Sequence, residues 1–402
     1  MQFGDTAEMK ILGIHAMDHY GVGGALRGQE MGFALRKLGH EIVQIPPGHS
    51  AVHMIEADSP DAVVLAGTWH QLMTPRAHAA IVAEACDKAH VPCIWWYGSN
   101  GSVFGCVDPS PDVRAQTERR VIQAICDRQF IAVICPYSIG IYARHGVPRP
   151  KMRLVPSVFD GDLFCPASST YDARVSERMR YKFGIPDGAF CLGTVGHTPN
   201  SKGGDEIIQA VALLKNEMPD LHYLVLHSPE NTLSKVKATS PDKKVIGNSE
   251  WDVLQKTKVL ARTLGVQDRV RFLGMRFPRI AMPTFYRLCD VYCSPSKAEN
   301  LGQPLVESQL CGLPLLTFKG FSFDFVACPT SAVQIEPTHT VTDNYGLVIP
   351  EVSGEVVAEG IRQARALGGD AEIAKATRAW AYEKFHHHNA QVMVDAIEEY
   401  RG

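Results

Sequence analysis

SKAENLGQPLVESQLCGLPLL, residues 296–316, follows the apolar run DVYC and runs into a second one, LPLLTF. The reading is strand, turn, short helix, strand. Asp290 to Pro295 forms the first strand. Pro304 suits the first helical position, where a missing N–H costs nothing. The helix runs to about Cys311 and is stopped by Gly312 and Pro314. The same rhythm extends outward in both directions. Before it lie TVGHTPNSKGGDEIIQAVALLK (from 194), LHYLVLHS and VRFLG; after it comes YGLVIP. In the first part of the chain MKILGIHAM, EIVQI, DAVVLAG (61–67), VPCIWWYG (91–98), FIAVICP (130–136) and MRLVPS (152–157) alternate with helical stretches. Regular alternation of this kind predicts α/β architecture with parallel, doubly wound sheets. The polar segment 159–178 breaks it once. The expected organisation is therefore a first domain over 1–165, a linker over 166–184, a second domain over 185–379, and a helical end over about 380–402. The polar run 228–252 reads as an insertion or surface loop.

Bulk properties exclude several classes. The chain has 402 residues, 45% apolar and 21% charged, with a formal charge of −3. This is globular composition without the global positive field that recruits nucleic acid. No apolar run reaches transmembrane length, which leaves room for peripheral membrane contact only. The 11 cysteines, from Cys86 to Cys328, contain no CxxC pair. They read as buried thiols in a reducing, cytoplasmic compartment. The N-terminus lacks a signal-peptide layout. The internal HHH at 386–388 reads as a polar helix end or loop.

Ligands of open parallel sheets bind at the carboxyl ends of the strands, so chemistry belongs in the strand-to-helix turns. Glu299 falls in the turn of the opening stretch and Glu307 about one helical turn beyond it, with Gly302 between them. Backbone N–H groups of Asn300, Leu301, Gly302 and Gln303, and that of Leu305, surround a helix N-terminus suited to phosphate. A carboxylate accepts without donating, which suits a vicinal diol. Two diols flanking a diphosphate describe a nucleotide sugar. A glutamate near a helix start is also favourable without any ligand. In the turn after TVG, Lys202 sits beside Gly203 and Gly204, suited to a phosphate as a point charge, with His197 as a further donor. The first turn, DHYGVGGALRG, lacks a GxGxxG fingerprint, an acidic partner for a dinucleotide ribose and a Walker lysine. Its glycines at 21, 23 and 24 read as a loop.

Taken together these motifs resemble the retaining, GT-B-fold glycosyltransferases of family 4 (glycosyl transferases group 1) over nearly the whole chain. RVRFLGMRFPRIAMPTFYRLCDVYCSPSKAENLGQPLVESQLCGLPLL resembles that family's donor region, including its E-x7-E motif at Glu299 and Glu307. The resemblance implies two doubly wound Rossmann-like domains facing across a cleft, with the final helix returning to the first domain. It implies that Glu299 meets the donor sugar and the backbone of Asn300 to Gln303 the sugar or phosphate. Glu307 would take the ribose, Lys202 the diphosphate, and the backbone near Met275 and Arg276 the base. Gly23 and Gly24 would allow the first domain to close over the phosphates. The chain departs from the family pattern at His197, where an arginine is usual and Arg276 could compensate, and at Ser157, where an asparagine is usual. Near WWYGSNG, Tyr97 or Ser99 stands where many relatives carry a histidine.

The expected activity is transfer of a hexose-type sugar from a nucleotide diphosphate sugar, a UDP-sugar favoured, with retention at the anomeric carbon. The acceptor is a hydroxyl of a small polyol, sugar or amino-sugar. No cofactor and no metal are expected; the nucleotide sugar is a co-substrate. His70, Tyr97, Ser99 and Asn100 are the acceptor-side candidates. A non-catalytic nucleotide-sugar binder and a GT-B phosphorylase or epimerase are the alternatives. A lipid or nucleic-acid acceptor ranks behind these, and the oligomeric state is open.

Overall fold

The structure, a computed structural model, describes residues 8–14, 23–43, 45, 50–67, 79–97, 130–144, 146–167, 169–196, 200–227, 250–275, 277–297, 299–342 and 348–401. Its contacts divide the chain into Met1–Asp160 with Lys384–Gly402 (unit 1) and Gly161–Glu383 (unit 2).

Unit 1 begins β1 (Lys10–Ile14), α1 (Gly23–Lys37), β2 (Glu41–Val43), α2 (Ala51–Asp58) and β3 (Ala62–Gly67). It continues α3 (Ala79–Ala89), β4 (Cys93–Tyr97), β5 (Phe130–Val133), α4 (Pro136–Arg144) and β6 (Met152–Leu154). The six strands form one parallel sheet in the order β2-β1-β3-β4-β5-β6. Strand order reverses between β1 and β3, which makes that gap the crevice where such sheets bind ligands. Val63, Leu65, Cys93, Trp95, Ile131 and Val133 point to a buried face packed by Ala51, Ile55, Val82 and Cys86 of α2 and α3. Gly23 and Gly24, expected in a loop, open α1 instead. The first turn of a helix has no N–H to satisfy within itself, so two glycines weaken it little.

Unit 2 runs α5 (Thr170–Lys182), β7 (Phe190–Val195), α6 (Gly204–Leu214), β8 (Leu221–His227), α7 (Glu250–Thr263), β9 (Val270–Gly274), α8 (Met282–Tyr286) and β10 (Val291–Cys293). Then come α9 (Gln303–Leu310), β11 (Leu315–Phe318), α10 (Phe323–Val326), β12 (Ala332–Ile335), β13 (His339–Thr342), β14 (Val348–Glu351), α11 (Gly354–Arg365) and α12 (Ala371–Phe385). The parallel sheet has the order β12-β11-β10-β7-β8-β9, so its reversal falls between β7 and β10. All seven residues of β8 are buried, as expected of a strand covered on both faces.

Two details differ from the sequence reading. YGLVIP supplies β14, but β14 pairs antiparallel with β13 in a separate two-stranded ribbon. The sixth strand of the sheet is β12, whose AVQI alternates half-buried and buried residues at the edge. The stretch 166–184, expected as a linker, is mostly α5 and is fastened within unit 2. Arg287 donates to Cys165 O (3.0 Å) and pairs with Asp172 (2.8 Å), while Arg180 donates to Leu288 O (3.0 Å) and Ala189 O (2.8 Å). The run 228–249 lies outside the described residues.

The chain's end belongs to unit 1. Phe159 N donates to Phe385 O (2.8 Å), and the helix α13 (Gln391–Arg401) buries Met393, Val394, Ala396 and Ile397. Arg153 pairs with Glu399, Arg401 with Asp61 (2.8 Å), and His387 with Glu30 of α1 (2.7 Å). No described helix is long and apolar enough to cross a membrane. The described cysteines are free thiols, all buried except the half-buried Cys165.

Candidate functional site

The strands flanking the order reversal in unit 2 each end in a turn that carries chemistry. After β7 the chain passes Gly196 and a 3₁₀ turn at Asn200–Lys202 before α6. After β10 it passes Pro295, Ser296 and Glu299 before α9. Both helices are capped by glycine in the left-handed region, Gly203 at φ 75° and Gly302 at φ 75°, and neither has a side-chain cap. Glycine reaches that conformation without strain. Space also requires it: a Cβ on Gly203 would lie 2.6 Å from Pro295 O, and one on Gly302 would lie 2.5 Å from Leu305 Cδ1. The uncapped ends leave backbone N–H groups and the positive end of the helix dipole for an anion. The Leu305 N–H, which the sequence reading counted among them, is instead spent on Gly302 O (2.9 Å). Pro304 is the second helical residue rather than the first, still within the turn whose N–H groups lack helical acceptors.

The two turns are locked together. Lys297 N donates to Ser201 O (3.0 Å) and Ser296 Oγ to the same oxygen (3.2 Å). Lys202 Nζ pairs directly with Glu299 Oε1, and Ser296 Oγ donates to that oxygen at 3.3 Å. The lysine stem crosses Gly196 so closely that a Cβ there would meet Lys202 Cγ at 2.8 Å. Glu299 is held from behind by Ser322 Oγ, which donates to its carbonyl (3.0 Å). The acids in the first turn of α6 would repel an anion if they faced it. Asp205 instead accepts from Thr257 Oγ1 (2.8 Å), and Glu206 pairs with Lys297 (3.1 Å).

Glu307 has a different environment from the one its sequence position suggests. It is 4% exposed, and both its oxygens are engaged. Arg279 pairs with Oε1, and Tyr286 Oη donates to Oε2 at 2.5 Å. The Arg279 guanidinium also lies 4.5 Å above the Phe164 ring. Burial pushes the Tyr286 phenol far up, and the negative charge of Glu307 adds to it. Tyr292, whose ring meets Tyr286 edge-on at 6.0 Å, accepts from Val195 N (3.1 Å). Its phenol is likewise raised by burial, with the charges of Glu299 and Glu307 contributing. A ribose on Glu307 would have to share oxygens already committed to the protein.

Other expected residues fall in varied settings. Asn300 and Leu301 are buried, and the Gln303 amide nitrogen is buried without a hydrogen-bond partner. Met275 is half-buried one residue beyond β9. Gly23 and Gly24 lie in α1, and Tyr97 ends β4. His197, Arg276, His70, Ser99 and Asn100 lie outside the described residues. The sequence reading did not single out Arg279, Tyr286, Ser296 or Ser322; only the nearness of Arg279 and Tyr286 to the opening stretch could have signalled them. Among the described residues no three His, Cys, Asp or Glu side chains form a metal-holding group.

Residues 175–375, half of the 402-residue chain, match the family described as glycosyl transferases group 1. The D-inositol 3-phosphate glycosyltransferase of Corynebacterium jeikeium (strain K411) is 33% identical over 168 residues, 41% of this chain and 35% of that protein. That of Thermomonospora curvata is 28% identical over 276 residues, 66% of this chain and 59% of that protein. The matches thus span from 35% to 59% of these curated relatives' own length. Among solved structures, HepE of Anabaena in complex with UDP is 17% identical with a TM-score of 0.69, covering 97% of this chain and 100% of that one. A glycosyltransferase from Rickettsia africae ESF-5 is 14% identical with a TM-score of 0.71, covering 98% and 99%. Two doubly wound Rossmann-like units, with this likeness to solved structures, show a GT-B fold. The chain belongs to the glycosyl transferases group 1.

Proposed function

We propose that the protein is a retaining glycosyltransferase that takes a hexose-type sugar from a nucleotide diphosphate sugar, a UDP-sugar first, to a hydroxyl of a small polyol, sugar or amino-sugar. The observation that carries this reading is the pair of interlocked turns at the order reversal of unit 2, with Lys202 and Glu299 in contact above two uncapped helix starts. The two charges satisfy each other. A diphosphate draws the ammonium toward its oxygens, and the freed carboxylate accepts hydroxyls of the sugar. In the reaction the bond from the anomeric carbon to the diphosphate oxygen breaks and a bond to the acceptor oxygen forms on the same face. The acceptor proton passes to the leaving phosphate oxygen. Lys202 and the helix N-termini stabilise the charge that develops there, so we propose that the reaction needs no metal. UDP in the HepE complex supports the base assignment, and the inositol phosphate in the names of the curated relatives supports a polyol acceptor.

The test is a thermal-shift series with UDP, GDP, ADP and dTDP in EDTA. UDP at about a hundred times its dissociation constant should add about 2.7 kcal/mol of stability. Lys202→Ala should remove most of the shift, and Glu299→Gln should keep the UDP shift while abolishing sugar transfer. A shift of equal size in the wild type and Lys202→Ala would put the nucleotide elsewhere.

A further inference from the structure

A cavity of about 430 Å³ opens in unit 1 at the amino ends of β3 and β4. This is the edge of the sheet opposite the carboxyl ends, where the strand-order reversal binds ligands. Sites for small molecules span about 300 to 1,000 Å³. The walls come from three places: Asp61 just before β3, Asp87 and His90 at the end of α3, and Tyr400 and Arg401 at the end of α13. Arg401 is fixed by its ion pair with Asp61 (2.8 Å), and the other oxygen of Asp61 accepts from Lys10 N (2.7 Å).

The backbone beside this cavity is unusual. Helix α3 closes with the two reverse bonds of a Schellman turn, Val91 N to Cys86 O (2.9 Å) and His90 N to Asp87 O (3.3 Å). Helices α1, α4, α5, α7 and α9 close with the same pair of bonds, each with a glycine in the left-handed position. In α3 that position holds His90, at φ 56°. A side chain there carries strain that glycine avoids. Such strain points to a use for the side chain when packing gives it none. Among the described residues, neither the His90 imidazole nor the Asp87 carboxylate has a hydrogen-bond or ion-pair partner, and both line the cavity.

We propose that this cavity is a carbohydrate site, separate from the donor turns of unit 2, that takes a neutral sugar. The charges select the ligand. Asp61 and Asp87 oppose an anion, and Arg401 opposes a cation. A hydroxyl both donates and accepts, so it meets a carboxylate, an imidazole or a guanidinium alike. Asp87 accepts from neighbouring hydroxyls of the sugar, and His90 bonds a further one. Tyr400 and Pro92 add apolar surface for the C–H face of a ring. The site stands on unit 1 alone and does not depend on glycosyl transfer.

The experiment labels the histidines of the full chain with carbon-13 at Cε1 and titrates glucose, and separately maltose, at fixed pH. The His90 signal is the one absent from His90→Gly. It should move saturably with at least one of the two sugars, and the tighter one tells whether one ring or two are held. Asp87→Ala should weaken that binding about ten-fold or more, the scale of a hydrogen bond to a charged group. Spermidine and inorganic phosphate, as charged probes, should leave the signal in place. His90→Gly should melt at or above the wild-type temperature, because the left-handed residue is then unstrained. A His90 signal that neither sugar moves overturns the proposal, as does equal sugar affinity in Asp87→Ala or a response to spermidine or phosphate instead. A melting temperature for His90→Gly well below the wild type also overturns it, since the imidazole would then be held for packing. The His90 signal reports this cavity and UDP protection reports the donor turns, so either reading can fail while the other stands.

Discussion

Glu307 and Arg279 illustrate how little a spacing reveals about a side chain's duties. Position alone gives Glu307 a place on the helix after the donor turn. The structure gives it an arginine, a tyrosine and almost no exposure. Removing one member of such a buried pair leaves the other uncompensated, which costs about 3–5 kcal/mol. Arg279→Leu should therefore cost unit 2 stability of that order, read as a fall in its urea midpoint. The double variant Arg279→Leu/Glu307→Leu should recover a large part of it, because no charge is then stranded. Additive losses in that cycle would show that the two side chains act independently. Glu299 was easier to place from sequence, since its turn sits between an apolar strand and a proline-started helix. Its contact with Lys202 was not legible, because the two are 97 positions apart and only the sheet order brings them together.

At the scale of elements, the turns matter more than the helices they start. Gly203 and Gly302 combine positive φ with contacts that exclude a side chain. Gly203→Ala would force a Cβ against the Pro295 carbonyl, which is backbone and cannot swing aside. The expected result is a loss of about 1–3 kcal/mol from backbone strain together with weaker UDP binding, because the Lys202 turn moves away from the Glu299 turn. Isothermal titration with UDP and a urea melt of the same sample check both halves; full UDP affinity in Gly203→Ala would mean the two turns do not need this register. The run of glycines was visible in the sequence. What sequence could not say was which glycine is bound by space: a Cβ on Gly203 would lie 2.6 Å from Pro295 O. β12 and β13 were missed for a related reason. AVQI and HTVT are four-residue segments, too short to carry a clear periodic signal, and HTVT is mostly polar besides.

For the whole molecule, the parallel sheets were legible because strands buried on both faces read as continuous apolar runs. The return of the chain's end was readable in sequence only through the resemblance. It shows in the structure as specific bonds within unit 1: Phe159 to Phe385, His387 to Glu30, Arg153 to Glu399 and Arg401 to Asp61. The buried face of α13, Met393, Val394, Ala396 and Ile397, adds apolar burial worth about 1.5–3 kcal/mol for each large side chain. Truncation after Ala390 removes that face and two of the ion pairs together. Unit 1 should then lose several kcal/mol of stability and unfold at lower urea than in the full chain. Unit 2 keeps all its strands and its donor turns, so UDP should still protect it. Hydrogen exchange in the presence and absence of UDP separates the two: slowed amides in β7, β8 and β10 with fast exchange in β1 to β6 is the expected pattern. Loss of UDP protection in the truncated chain would mean that the donor turns depend on unit 1 for their stability, and that the two units do not unfold independently.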